Sequence, residues 1–257
     1  MTTALFTYEF GPAGGRPLLA LHGLSGHGAR WRRFAETQLA GFRVTAPDLR
    51  GHGRSTWNPP WRLEQFAEDV LALMDDRGLD RVPVMGHSYG GAIALYLANM
   101  VPDRVSRLVL VDPALGLDPE TSGQDAEDSR TEELFATFEQ ARASQAERWS
   151  FASDDQVDDE LAVGFFQDDE GVWHRRYSPA MGVVAWSEMA RAHVVPPAGI
   201  PTLLAPALDA DYLQPAFVAD CRAVLGDDLT VREMDCGHMI YLERPAEFGK
   251  LVTEFLG

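Results

Sequence analysis

The chain has 257 residues, 46% of them apolar and 24% charged, which is ordinary globular composition with enough length to bury a full core. A formal net charge of −17, with Lys250 the only lysine, argues against nucleic acid or an anionic membrane as a partner, since both recruit clustered Lys and Arg. No uninterrupted apolar stretch reaches the length of a membrane span.

The first ten residues, Met1 to Phe10, carry neither a basic start nor a long apolar run, so a cytoplasmic protein is expected. The only two cysteines, Cys221 and Cys236, are then expected to be buried thiols rather than a disulfide.

Short apolar runs bounded by Gly, Pro or Asp turns alternate with amphipathic stretches. That alternation predicts a mostly parallel sheet with helices on both faces, an α/β fold. Strands are expected at Pro17–Leu21, Arg43–Ala46, Val82–Met85, Leu108–Val111, Thr202–Ala205 and Leu229–Val231. Helices are expected at Arg30–Leu39, Leu63–Arg77, Tyr89–Met100, Pro215–Leu225 and Pro245–Leu256.

Residues 115–196 break the alternation and hold eighteen Asp or Glu against six Arg. A stretch of that length needs structure of its own, so it reads as a helical cap inserted into a core domain formed by 1–114 and 197–257. Its aromatics, Phe135, Phe138, Trp149, Phe151, Phe165, Phe166, Trp173 and Trp186, either pack as the cap's own core or line a substrate pocket.

Gly86-His87-Ser88-Tyr89-Gly90 stands between an expected strand and an expected helix. A serine on so sharp a turn is lifted clear of the sheet, where it can act as a nucleophile. Leu21-His22-Gly23-Leu24-Ser25-Gly26 ends the first strong strand; the backbone N–H of Leu24, with that of Tyr89 after the serine, is placed to form an oxyanion hole. Cys236-Gly237-His238-Met239 follows the last strand, where His238 can reach over the sheet edge as general base. His22 and His87 are read as braces within their loops and His52, in Asp48-Leu49-Arg50-Gly51-His52-Gly53, as part of a hydrogen-bonded turn. His27, His174 and His193 show no partners in the sequence, and no spacing matches a zinc site, so neither metal nor cofactor is expected.

Together these motifs, with Val111-Asp112-Pro113, resemble the α/β-hydrolase superfamily, near its small cap-bearing serine esterases and carbon–carbon bond hydrolases. The resemblance implies a serine hydrolase with a catalytic triad and an acyl-enzyme intermediate. Serine at position 88 argues against the haloalkane dehalogenase and epoxide hydrolase branches, and Met239 stands where carbon–carbon hydrolases often carry tryptophan. Relatives place the acid after the strand corresponding to Thr202–Ala205, but Pro206-Ala207-Leu208 replaces the usual glycine landmark. Asp211 is favoured, because Tyr212-Leu213-Gln214-Pro215 follows it as apolar residues and a helix-starting proline follow the acid in relatives; Asp209 and Asp112 are the alternatives.

The expected activity is cleavage of a carboxylic ester in a small, neutral, largely apolar substrate. A carbon–carbon hydrolase, lactonase, thioesterase or perhydrolase would use the same residues, and a catalytically weak ligand receptor would keep the fold.

Overall fold

The computed structural model describes residues 4–257. The chain opens with β1 (Thr7–Phe10), β2 (Arg16–Leu21), α1 (Arg32–Gln38), β3 (Phe42–Pro47) and α2 (Leu63–Asp76). It continues through β4 (Val82–His87), α3 (Tyr89–Met100) and β5 (Val105–Val111). Residues 115–196 then supply α4 (Pro119–Asp128), β6 (Leu134–Phe135), α5 (Phe138–Arg148), α6 (Asp154–Gly164), β7 (Phe165–Gln167), β8 (Trp173–Arg175) and α7 (Pro179–Met189). The chain closes with β9 (Thr202–Ala205), α8 (Pro215–Leu225), β10 (Leu229–Val231), α9 (Ile240–Glu243) and α10 (Pro245–Leu256).

Seven strands form one sheet in the order β1-β3-β2-β4-β5-β9-β10, parallel except for β1, which pairs antiparallel with β3 at the edge. The two-residue period of a strand sends alternate side chains to opposite faces, and the core divides accordingly. Leu19, Leu21, Val84, Leu108, Leu110 and Leu204 pack against α2, α3, α7 and α8. Leu18, Ala20, Met85, Val109, Val111 and Leu203 pack against α1, α9 and α10. Because both faces are covered, these strands read as continuous apolar runs rather than as polar–apolar alternation.

Every strand and helix expected in the sequence is present, with shifts at the ends. The helix expected from Arg30 begins at Arg32, after a 3-10 turn over Gly28–Trp31. The edge strand β1 was not foreseen. The inserted segment departs from a purely helical cap: besides four helices it contains a three-stranded antiparallel sheet, β6-β8-β7. Strands of two or three residues are too short to display a period. Phe135, Ala141, Val157, Leu161 and Phe165 form a small core inside the insertion, while Met181, Ala185 and Met189 of α7 pack into the main one. Trp149, Phe151 and Trp186 line a cavity; Trp149 also belongs to the core layer of α1, α9 and α10, and Trp186 packs against the opposite one.

Both cysteines are free and buried, and burial pushes their thiols up, to about 12 for Cys221 and about 11 for Cys236. Among the described residues no helix is long and apolar enough to cross a membrane, and no group of three His, Cys, Asp or Glu side chains is arranged to hold a metal ion.

Candidate active site

Ser88 occupies the step from β4 into α3 with φ 54° and ψ −120°, a conformation costly for a residue with a side chain. Its backbone N–H donates to Val111 O at 3.0 Å, and its carbonyl accepts from Gly91 and Ala92, so both elements hold the turn. The flanking glycines are required by space: a Cβ on Gly86 would stand 2.3 Å from Gly90 O, and one on Gly90 would stand 2.5 Å from His22 O. The close approach of α3 to β2 and β4 thus rests on bare backbone at these two positions.

His238 lies between β10 and α9, and the Glu243 carboxylate grips its loop from both sides, accepting from Gly237 N–H at 2.8 Å and from Met239 N–H at 3.1 Å. His87 Nε2–H donates to His238 O at 2.9 Å, and the Tyr212 ring packs over the imidazole with centroids 4.2 Å apart. Ser88 and His238 line the same cavity, of about 730 Å³. No hydrogen bond within 3.5 Å joins their side chains in this structure.

The acid beside His238 is Asp112, not Asp211. His238 Nδ1–H donates to Asp112 Oδ2 at 2.6 Å, and Ala207 N–H donates to Asp112 Oδ1 at 3.1 Å. Asp112 follows the end of β5 at φ 42° and is 0% exposed. The loop after β9 explains why neither alternative reaches the imidazole. Without a glycine to turn it, Pro206-Ala207-Leu208 runs on beside the segment before His238: Ala207 bridges to Met234, Leu208 N–H donates to Met234 O and Asp209 N–H to Cys236 O. Asp209 and Asp211 are carried out to the surface.

Leu24 stands on the loop after β2 and lines the cavity; Tyr89 opens α3 with its ring buried against Phe66. Neither backbone N–H meets a protein acceptor among the described residues, and the first N–H groups of a helix have no intrahelical partner to claim them.

This loop is braced by imidazoles that stay neutral. His22 Nε2 accepts from Leu49 N–H at 3.0 Å while its Nδ1–H donates to Gly23 O; His52 Nε2 accepts from Ser25 N–H at 3.2 Å while its Nδ1–H donates to Arg50 O. Each ring uses one nitrogen as acceptor and one as donor, so a second proton would break a bond. Asp48 adds two more bonds, to Gly28 N–H and Arg54 N–H, and Arg50 forks onto Asp69 with two contacts of 2.7 Å, both partners buried.

Burial lowers His22 and His87 well below the usual histidine value of 6.5 and His52 to about 3. The unfolded chain therefore binds protons below pH 6.5 that the fold does not. Their stabilising contribution is fully present above that pH and is lost as pH falls toward the folded values, by up to about 1.4 kcal/mol per pH unit for each histidine. The urea midpoint is expected to be clearly lower at pH 5.0 than at pH 7.5. Equal midpoints would mean that these imidazoles take up protons in place.

The three histidines without evident partners each find a carboxylate: His174 meets Glu132 and Asp168, and His193 meets Asp220. His27 joins Arg30 on Glu160 of α6, at 3.0 and 2.6 Å. Burial pushes the Glu160 carboxyl up, but Arg30 and His27 outweigh it and hold the group well below the usual carboxylate range. Arg30 also donates to Ser25 O at 3.0 Å, so this cluster ties the insertion to the loop carrying Leu24. No local spacing marks Tyr212, Glu243 or the Glu160 cluster as parts of the site: Tyr212 and Glu160 meet partners far off in the chain, and Glu243 meets backbone N–H groups, those of Gly237 and Met239.

The chain matches the family model described as the alpha/beta hydrolase fold over residues 16–245. It is similar to Lipase LipV of Mycobacterium tuberculosis strain H37Rv, 36% identical over 261 residues that cover 100% of this chain and 99% of that protein. Among solved structures it resembles a marine microorganism esterase, with TM-score 0.80 and 23% identity over 98% of this chain and 99% of the other. It also resembles E-2-(acetamidomethylene)succinate hydrolase, with TM-score 0.85 and 21% identity over 97% and 94%.

Proposed function

This chain belongs to the alpha/beta hydrolase fold family, and on that footing we propose that it is a serine hydrolase cleaving a carboxylic ester of a small, neutral, largely apolar substrate. The observation that carries the reading is the 2.6 Å hydrogen bond from His238 to buried Asp112, in one cavity with a serine held at φ 54°. Lipase LipV, as its name states, acts in the same class of chemistry.

In the proposed mechanism Ser88 Oγ attacks the ester carbonyl carbon while His238 Nε2 takes its proton. Such serine–histidine hydrogen bonds commonly tighten only in the reactant complex. Asp112 holds the imidazole with Nδ1–H toward itself, leaving Nε2 free as the base, and stabilises the imidazolium that forms. The N–H groups of Leu24 and Tyr89 receive the oxyanion, an interaction for which one donor is worth about 3 to 4 kcal/mol. His238 returns the proton to the leaving alkoxide as the acyl-enzyme forms; it then takes a proton from a water that attacks the acyl carbon and passes it to Ser88 Oγ as the bond from that carbon to Oγ breaks and the acid leaves. Every proton is accounted for on Ser88, His238 and water, so the scheme calls for no metal or cofactor. Residues 115–196 act as the lid over this site.

Labelling of Ser88 by a fluorophosphonate, absent in Ser88→Ala, tests the nucleophile. The preference for neutral substrates rests on the cavity lining, where the five carboxylates of Asp125, Asp128, Glu132, Glu133 and Glu243 outnumber the three guanidiniums of Arg30, Arg148 and Arg175. Burial, then the neighbouring carboxylates Asp128 and Asp211, raise the Asp125 carboxyl above its ordinary value, a sign of crowded negative charge. We expect kcat/KM for p-nitrophenyl butyrate to exceed that for the p-nitrophenyl hemiester of succinic acid by roughly tenfold or more at low salt. Salt screens exposed charges over about 8 Å at physiological ionic strength, so the gap narrows as salt is added. Equal rates at all salt concentrations would remove the lid's charge from the account of specificity.

A further inference from the structure

Gln145 of α5 is 1% exposed and lines the cavity that holds Ser88 and His238. Its amide can be oriented without ambiguity. Arg175 Nη1 approaches one amide atom at 2.6 Å, and a guanidinium has only donors, so that atom is the oxygen. Arg175 is itself fixed: Nε donates to Glu133 Oε2 at 3.0 Å, and the guanidinium lies 4.6 Å from the centre of the Phe165 ring. The Gln145 amide therefore cannot flip without bringing donor against donor, and its Nε2, with two N–H groups, is left buried and without a protein partner. A buried donor left unpaired costs on the order of 1–3 kcal/mol, a penalty relieved when an occupant of the cavity presents an oxygen and a small adjustment of the side chain brings Nε2, which has almost no accessible surface, to meet it.

We propose that Gln145 Nε2 is a specificity-determining contact, reading a second acceptor oxygen on the substrate besides the ester that reacts. The inference rests on the serine hydrolase reading of this cavity and names its substrate class: esters that carry a further neutral carbonyl, as a keto ester or diester does. A carboxylate would offer the same acceptor, but the lining holds more carboxylates, those of Asp125, Asp128, Glu132, Glu133 and Glu243, than guanidiniums, those of Arg30, Arg148 and Arg175, and Arg175 is already engaged by Glu133. The neutral carbonyl suits both the free donor and the surrounding charge.

The discriminating variant is Gln145→Glu, which keeps an oxygen for Arg175 and replaces the amide donor by an acceptor. The readout is a ratio: kcat/KM for p-nitrophenyl esters bearing a ketone at successive carbons of the acyl chain, from the fourth to the seventh, over the matched alkanoyl esters. For at least one ketone position we expect the wild-type ratio to exceed unity and to fall roughly 5- to 10-fold in Gln145→Glu, the range of one net hydrogen bond. Gln145→Met, which removes both polar atoms at similar volume, is expected to lower it as well. Ratios that Gln145→Glu leaves unchanged at every position overturn the proposal, as does a wild-type chain indifferent to the ketone. A separate arm needs no turnover: calorimetric titration of Ser88→Ala with the methyl keto esters and methyl alkanoates. There the keto ester is expected to bind more tightly, and Gln145→Glu in that background to erase the difference; equal binding of the two overturns the proposal even where no ester is hydrolysed. Persistence of turnover in Ser88→Ala would instead defeat the serine hydrolase reading and leave the binding arm to judge Gln145.

Discussion

Ser88→Ala and His238→Ala are each expected to lower kcat for a p-nitrophenyl ester by roughly five to six orders of magnitude, and the double variant by little more. A nucleophile and its base act as one unit, so removing either disables the same step and the losses do not add. The residual rate comes from substrate binding and the oxyanion donors, which neither substitution touches. Both variants should fold. Alanine at position 88 keeps the backbone bonds to Val111, Gly91 and Ala92, and position 238 sits on a loop whose backbone is held by Glu243 and His87. Activity above about one per cent in either variant, with circular dichroism unchanged, would remove that residue from the mechanism.

Asp112→Asn is expected to cost about four orders of magnitude in kcat, while Asp211→Asn and Asp209→Asn stay within about twofold of the wild type. An asparagine at 112 keeps the shape and the acceptor for Ala207 N–H, so the fold has little reason to change. What it loses is charge and acceptor polarity at Oδ2. With an amide NH₂ there, the imidazole turns its unprotonated nitrogen toward position 112 and its N–H toward the serine, the wrong tautomer for a base. The exposed carboxylates at 209 and 211 make no bond to His238, so neutralising them changes only a screened surface charge. A crippled Asp211→Asn beside an active Asp112→Asn would reverse the assignment.

The acid is also where reading the sequence falls short, for a physical reason. The strand and elbow are local features: the four apolar residues Val82–Met85, a glycine, a serine and another glycine determine their geometry over a short stretch of chain, and β4 with Ser88 lies where that reading expects it. The partner of His238 is 126 residues away, and its identity depends on whether the chain after β9 turns back toward the imidazole or runs beside the segment before it. That choice is made by the bridge of Ala207 to Met234, a pairing with no signature in either segment alone. The positive φ at Asp112 likewise leaves no mark in composition. The same holds for the insertion, whose three-stranded sheet is built from strands too short to show a period. By contrast His22 reads as a brace within its own loop and His52 as part of a hydrogen-bonded turn, and their Nδ1–H groups do donate locally, to Gly23 O and Arg50 O.

The cluster of Glu160 with Arg30 and His27 has a consequence for how substrate enters. Arg30 and Glu160 are 8% and 3% exposed, and removing either side chain would leave the other's charge buried and unpaired, a change that typically costs about 3–5 kcal/mol. Because Arg30 also holds Ser25 O, lifting α6 pulls on the loop that carries Leu24. A substrate that displaced α6 would therefore shift the Leu24 loop as well, so that entry and the arrangement of this loop are coupled.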